Sequence, residues 1–186
     1  MQIFRPLARL FTLVLFAMMI VPAMASEPEL HQAAASNDVA RIEALLKAGA
    51  RVDARDQAER TALLAATHAN AIEAARLLIA AGADVNAKDN IQDSPYLYAS
   101  AAGHVEILRL TLKAGADLKS VNRFGGTGLI PAAERGHVEV IRELIKAGVA
   151  IDHVNRLGWT ALLEAIILSD GGPAHVEIVK LLIAAG

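Results

Sequence analysis

The stretch Gly82-Ala83-Asp84-Val85-Asn86-Ala87-Lys88-Asp89 begins on a glycine that recurs. Gly49, Gly82, Gly115 and Gly148 stand 33 residues apart, and Thr61, Ser94, Thr127 and Thr160 follow them at the same interval. A fixed period of that length means one small supersecondary unit copied and stacked. It moves the question of function from a catalytic centre to a surface.

Aligned on the glycines, complete units run Gln57 to Asp89, Asn90 to Asn122 and Arg123 to Asn155. An atypical unit, 26–56, precedes them and an expanded one, 156–186, follows, about five in all. Each opens with a turn, carries two short helical patterns and closes on Gly. Thr61, Ser94, Thr127 and Thr160 stand where an N-cap belongs, with hydroxyls placed to accept free N–H groups of the first helix. Pro95 follows Ser94 at the first helical position, where proline is tolerated. The second helix shows an amphipathic period: Val138, Ile141, Leu144 and Ile145 share a face, as do Ile72, Ala75, Leu78 and Ile79. Stacking these rows makes one continuous core. Asn37, Asn70, Gly103 and Gly136 fall together between the helices, and both residue types enter the left-handed region easily.

Ala81 to Asp89, Gly103-His104-Val105-Glu106-Ile107-Leu108 and Gly136-His137-Val138-Glu139-Val140-Ile141 resemble the ankyrin repeat. The likeness covers nearly all of 29–186. The resemblance implies an all-α solenoid of helix–turn–helix units joined by β-hairpin fingers, binding protein partners through finger tips and inner helices without catalysis. The family's Thr-Pro-Leu-His opening is not kept, its His position being filled by Leu64, Leu97, Ile130 and Leu163. The openings Thr61-Ala62-Leu63-Leu64 and Thr160-Ala161-Leu162-Leu163 look more like bacterial members.

The N-terminus is of another kind. Arg5 and Arg9 precede an uncharged run from Leu10 to Val21, Pro22 breaks it, and Ala23-Met24-Ala25 offers a small-x-small cleavage pattern. That is a secretory signal, and the run falls well short of the roughly 20 apolar residues that span a membrane. Cleavage after Ala25 is expected, placing a soluble, monomeric domain in the periplasm or outside the cell. The leader takes two arginines and no acid from 18 basic and 20 acidic side chains, leaving 16 against 20. An acidic body does not point to nucleic acid. The absence of cysteine excludes disulfides, thiol nucleophiles and Cys-based metal sites.

His104, His137 and His175 repeat a His-x-Glu spacing. Helices stacked 8–10 Å apart hold such residues too far apart for one zinc, so their expected role is structural. Asp53, Asp84, Asp117 and Asp152 read as finger residues, solvated or locally hydrogen-bonded in this kind of turn. No cofactor, metal or catalytic constellation is expected. Gly125-Gly126-Thr127-Gly128 lacks the lysine of a phosphate loop. Pro131, four residues after Thr127, should tighten or tilt the start of its helix. Five extra residues around Ser169-Asp170-Gly171-Gly172-Pro173 enlarge the last unit. An alternative reading has this loop and His175 completing a metal or enzymatic site, and another has the array serving structurally, as a stabiliser of a periplasmic enzyme. The Val176, Val179, Leu182 and Ile183 pattern of an internal unit runs up to Gly186. A continuation of the chain, or a partner on that helix, is therefore expected.

What varies along the stack points to partner binding. Successive tips carry Ala58, Ile91, Phe124 and Leu157, the last two preceded by Arg123 and Arg156, with Arg60, Asp93 and Trp159 beside them and Tyr98 and Glu164 extending the face onto the first helices. An apolar row in register, with Arg, Tyr and Trp alongside, has the composition of interaction hot spots.

Overall fold

Residues 27–186 are described by the computed structural model, so the leader expected over 1–25 lies outside the described residues. Ten helices form among them: α1 (Glu27–Ala35), α2 (Val39–Lys47), α3 (Ala62–His68), α4 (Ile72–Ala80), α5 (Pro95–Ala102), α6 (Val105–Lys113), α7 (Leu129–Glu134), α8 (Val138–Ala147), α9 (Ala161–Ile167) and α10 (Pro173–Ala185). They pair in chain order. The odd-numbered helices pack on one another as one layer and the even-numbered helices as a second. None is long and apolar enough to cross a membrane.

The helices are too short to be stable alone, so packing must hold them. Leu63, Tyr96 and Leu129 from the first layer meet Ile42, Leu78, Ile107, Leu108, Ile141, Leu144 and Ile178 from the second, all fully buried. At the close of the pairs, Gly49, Gly82, Gly115 and Gly148 have φ between 86° and 94°. A Cβ there would meet nothing within 4 Å, so backbone conformation alone demands glycine. Asn37, Asn70, Gly103 and Gly136 are also left-handed, at φ 57°, 52°, 77° and 75°. Gly103 and Gly136 have a second reason. A Cβ would sit 2.8 Å from the His137 ring and 3.3 Å from that of His175.

These histidines join neighbours. His104 Nδ1–H donates to the Thr67 carbonyl (3.0 Å), His137 Nε2–H to Ala101 (3.2 Å) and His175 Nε2–H to Glu134 (3.0 Å), each reaching the end of the preceding first helix. A carbonyl can only accept, so the bonded ring nitrogen carries the hydrogen. Long cations do the same between fingers: Arg55 donates to Lys88 O and Lys88 to Val121 O.

Thr61, Ser94 and Thr160 cap their helices through the side-chain oxygen, as the spacing predicts. Thr127 does not. In the other pairs the capping residue's carbonyl receives the N–H four residues on, from Ala65, Tyr98 and Glu164. Here that position is Pro131, which has no N–H. Ile130 N–H turns back to the Thr127 carbonyl instead (3.2 Å), and the buried Thr127 hydroxyl is left without a partner. The helix begins one residue late and is the shortest of the ten, so the tightening expected of Pro131 is present and the cap expected of Thr127 is not.

Among the described residues no strand forms, so the fingers are turns and the hairpin ladder implied by the resemblance is absent. The inserted segment is likewise a bonded turn: Ser169 Oγ accepts from Gly171 N–H and Asp170 Oδ1 from Gly172 N–H, before Pro173 opens α10.

Candidate functional site

One column builds every finger. Asp56, Asp89, Asn122 and Asn155 each turn a side-chain Oδ1 to two backbone N–H groups of the tip, two and four residues on, at 2.8–3.1 Å. The same residue's N–H closes the turn on the carbonyl of the fourth residue, as in Asp89 N to Asp93 O at 2.9 Å. With its donors used in this way, the tip is a closed, internally bonded turn. Its side chains are presented to solvent from a fixed frame: Ile91 is 46%, Phe124 51% and Leu157 68% exposed.

Below them lies a groove of about 500 Å³, bounded by the tips and the first-helix layer. Of the residues singled out from sequence, Ile91, Asp93, Tyr98, Arg123, Phe124 and Leu157 all line it, together with Glu164. Ala58, Arg60, Arg156 and Trp159 do not. Ala58 is half-buried and its carbonyl accepts Asn90 N–H (3.2 Å). Arg60 is bound to Asp56 at 2.8 Å and borders a separate shallow hollow with His31 and His68. Arg156 stitches fingers, its N–H on Phe124 O (2.9 Å) and its guanidinium on Arg123 O (3.1 Å). Trp159 is half-buried.

The groove is chemically mixed. Arg123 stands 4.8 Å from the centre of the Phe124 ring, within cation–π range, and 3.9 Å from the Asp93 carboxylate. Burial, and then the neighbouring Asp89, push the Asp93 carboxyl up from its ordinary value. Glu164 is only 6% exposed and accepts from Asn155 Nδ2 at 3.0 Å. Burial, reinforced by Glu134, raises its carboxyl too. His68 stacks on Tyr98 with ring centres 3.9 Å apart, and its buried Nε2 has no partner. Burial lowers its pKa and the positive charge of Arg60 adds to this, so the ring favours its neutral form.

Asn155 and Leu168 also line the groove and were not picked out from sequence as contacts. The first was legible, since Asp or Asn recurs every 33 residues at that position. Leu168 follows α9 at the edge of the insertion, where the period breaks and no column identifies it.

Paired helices at a 33-residue repeat, with Asx-built fingers, meet a model of ankyrin repeats at residues 30–122 and 97–186. The chain belongs to the ankyrin-repeat family. Ankyrin repeats are in general protein-interaction scaffolds without catalysis. An ankyrin repeat domain from Acinetobacter baumannii AYE, solved by crystallography, is 63% identical with a TM-score of 0.84, across 87% of this chain and 82% of that one. The crystal structure of EF0377, an ankyrin repeat protein, is 43% identical with a TM-score of 0.82, over the same shares. No curated protein matches the chain.

Among the described residues no group of three His, Asp or Glu side chains could hold a metal ion. His175 has both ring nitrogens engaged, Nε2 on Glu134 O and Nδ1 3.3 Å from Asp170 Oδ1. That geometry ties the inserted turn to α7 through His175.

Proposed function

We propose that this ankyrin-repeat protein is an exported scaffold, released into the periplasm by cleavage after Ala25, that binds a protein partner through its finger tips and concave first-helix face and performs no reaction of its own. The observation that carries the binding reading is the row Ile91, Phe124 and Leu157, roughly half-exposed or more in consecutive fingers above one groove. Apolar side chains aligned on a rigid frame favour association, because little conformational entropy is lost when they are covered. Tyr98, Asp93 and Arg123 add polar selectivity within the same lining. Arg156 and Trp159 belong to the proposed surface as finger supports.

Affinity capture from the periplasmic fraction, comparing wild type with Phe124→Ala/Leu157→Ala, tests the binding. A partner recovered by wild type, identified and then re-purified, should bind it and lose affinity for the double variant by about tenfold or more. Equal binding to both would overturn the assignment of the surface. Export has its own measurement. The protein recovered from the periplasm should begin at Ser26 by mass spectrometry, and retention of the whole leader on a cytoplasmic protein would exclude it.

A further inference from the structure

Position 164 differs from its equivalents. One, two and three repeats earlier the same site on the first helix holds Pro131, Tyr98 and Ala65, none of them charged at neutral pH. Glu164 places a carboxylate there, 6% exposed, at one end of the groove. Its Oε1 accepts from Asn155 Nδ2, and among the described residues no other donor and no cation reaches it. The two arginines lining the same groove are engaged elsewhere: Arg123 beside Asp93 and over Phe124, Arg135 on the Ala101 carbonyl at 2.8 Å. Glu134 adds a third carboxylate to the lining, after Glu164 and Asp93.

An ionised carboxylate taken out of water without a counter-ion is costly, and natural proteins seldom keep one. Here burial and Glu134 hold the Glu164 carboxyl above its ordinary range, the signature of an uncompensated charge. Beside the charged and polar side chains of the lining, Ile91, Phe124, Leu157 and Leu168 form an apolar part of the wall. A ligand matched to both features carries a cation next to a bulky apolar group.

We infer that the groove recognises an extended polypeptide segment in which a lysine or arginine adjoins a large apolar side chain, the apolar group seated among Ile91, Phe124 and Leu157 and the cation on the Glu164 carboxylate. This rests on the reading that the groove binds protein, and it names the chemistry of the partner. The lining draws on three successive fingers, from Ile91 to Leu157, which suits a strand of polypeptide passing across the stack. The cation would supply Glu164 with a charge-assisted bond at its unused oxygen and cancel the cost of burying it. Arginine fits best, since its planar fork can bond both carboxylate oxygens and its weak hydration lowers the desolvation cost.

The probe is a phage-displayed library of random linear dodecapeptides, selected on the purified protein. Sequences that win are then synthesised and titrated against wild type, Glu164→Gln, Phe124→Ala/Leu157→Ala and Glu139→Gln. Gln keeps the acceptor for Asn155 Nδ2 and removes only the charge, so the finger frame is preserved. Glu139, exposed on the outer layer, controls for net charge. The expected result is enrichment of Lys or Arg beside Leu, Ile, Phe or Trp. Affinity should then fall about tenfold or more in Glu164→Gln, be lost in the apolar double variant and stay unchanged in Glu139→Gln. Peptides that depend on Phe124 and Leu157 but show no basic preference, or bind Glu164→Gln equally, overturn the inference and leave the groove reading standing. Peptides indifferent to the apolar double variant, or no enrichment at all, overturn both.

Discussion

Pro131 withholds the N–H that Ala65, Tyr98 and Glu164 give to the capping carbonyls of their helices, and the consequence falls on a different residue, Thr127. Restoring the donor should reverse the chain of effects. In Pro131→Ala the new N–H takes the Thr127 carbonyl, Ile130 N–H returns to the Thr127 hydroxyl, and the urea midpoint should rise by an equivalent of about 1 kcal/mol. The shape-conserving Thr127→Val should be neutral or slightly stabilising in the natural chain, since it removes an unpaired buried hydroxyl, whereas Thr61→Val should cost about 1 kcal/mol. Equal losses from the two valines would refute this account of the cap. The 33-residue period presents both threonines as the same thing. Only the residue four positions on, which the period does not govern, tells them apart.

His68 makes a second argument at this scale. The five other histidines each turn a ring nitrogen to a backbone carbonyl, while His68 Nε2 is buried without a partner. Its folded pKa lies below the ordinary 6.5, held there by burial and by Arg60 and His104 against the opposing pull of Asp89 and Asp56. The unfolded chain therefore binds a proton first as the solution is acidified. The stability this neutral ring supports is full above about 6.5 and is lost as pH falls toward the folded value. His137 is depressed too, chiefly by burial, and acts in the same direction. Asp93 and Glu164, whose values are raised, act oppositely, gaining stability as pH falls through the carboxylate range. His68→Phe keeps a ring against Tyr98 and has nothing to titrate. Its loss of stability between pH 7 and pH 5, followed by urea unfolding, should be smaller than that of wild type. Parallel curves would remove His68 from the explanation.

Among the elements, the finger was the least fully legible. The row Ile91, Phe124 and Leu157 could be seen in the sequence because it varies against a fixed frame. The side chains that make the frame, Asp56, Asp89, Asn122 and Asn155, repeat as regularly as the glycines, and an Asx side chain bonding the N–H two residues on is a local signal. Arg156 and Trp159 look like contact residues by type. The structure gives both a framing bond as well: the Arg156 guanidinium donates to the neighbouring finger, and the Trp159 backbone N–H donates to Asn155 Oδ1. Asn122→Ala should cost about 2 kcal/mol by urea unfolding, stripping the N–H groups of Phe124 and Gly126 of their acceptor. Asn122→Asp should nearly restore it, since Asp56 and Asp89 do this work in other fingers. A variant with Asp as unstable as that with Ala would mean that Asn122 acts through something other than this acceptor.

At the scale of the whole array, bonds between helix pairs join immediate neighbours: His104 to α3, His137 to α5, His175 to α7, and on the outer layer Arg109 to Glu143 and Arg142 to Glu177. The exposed ion pairs are weak individually. Stability then approximates a sum over pairs and the contacts between neighbours, so damage stays near its origin. The groove does not share this locality, for it draws Ile91 and Asp93 from one finger, Arg123 and Phe124 from the next, and Glu164 and Leu168 from α9 and the residue beyond it. Ile178, fully buried in α10, offers the test. Ile178→Ala opens a cavity costing about 2–5 kcal/mol. Hydrogen exchange should show α9 and α10 losing protection while α1 to α4 keep theirs. Ligands that use only the Ile91 and Phe124 end should still bind, and those that need Glu164 should weaken, although Ile178 is not among the groove's lining residues. Uniform loss of protection from α1 to α10 would instead show a single cooperative unit, in which no part of the groove can be released without the rest.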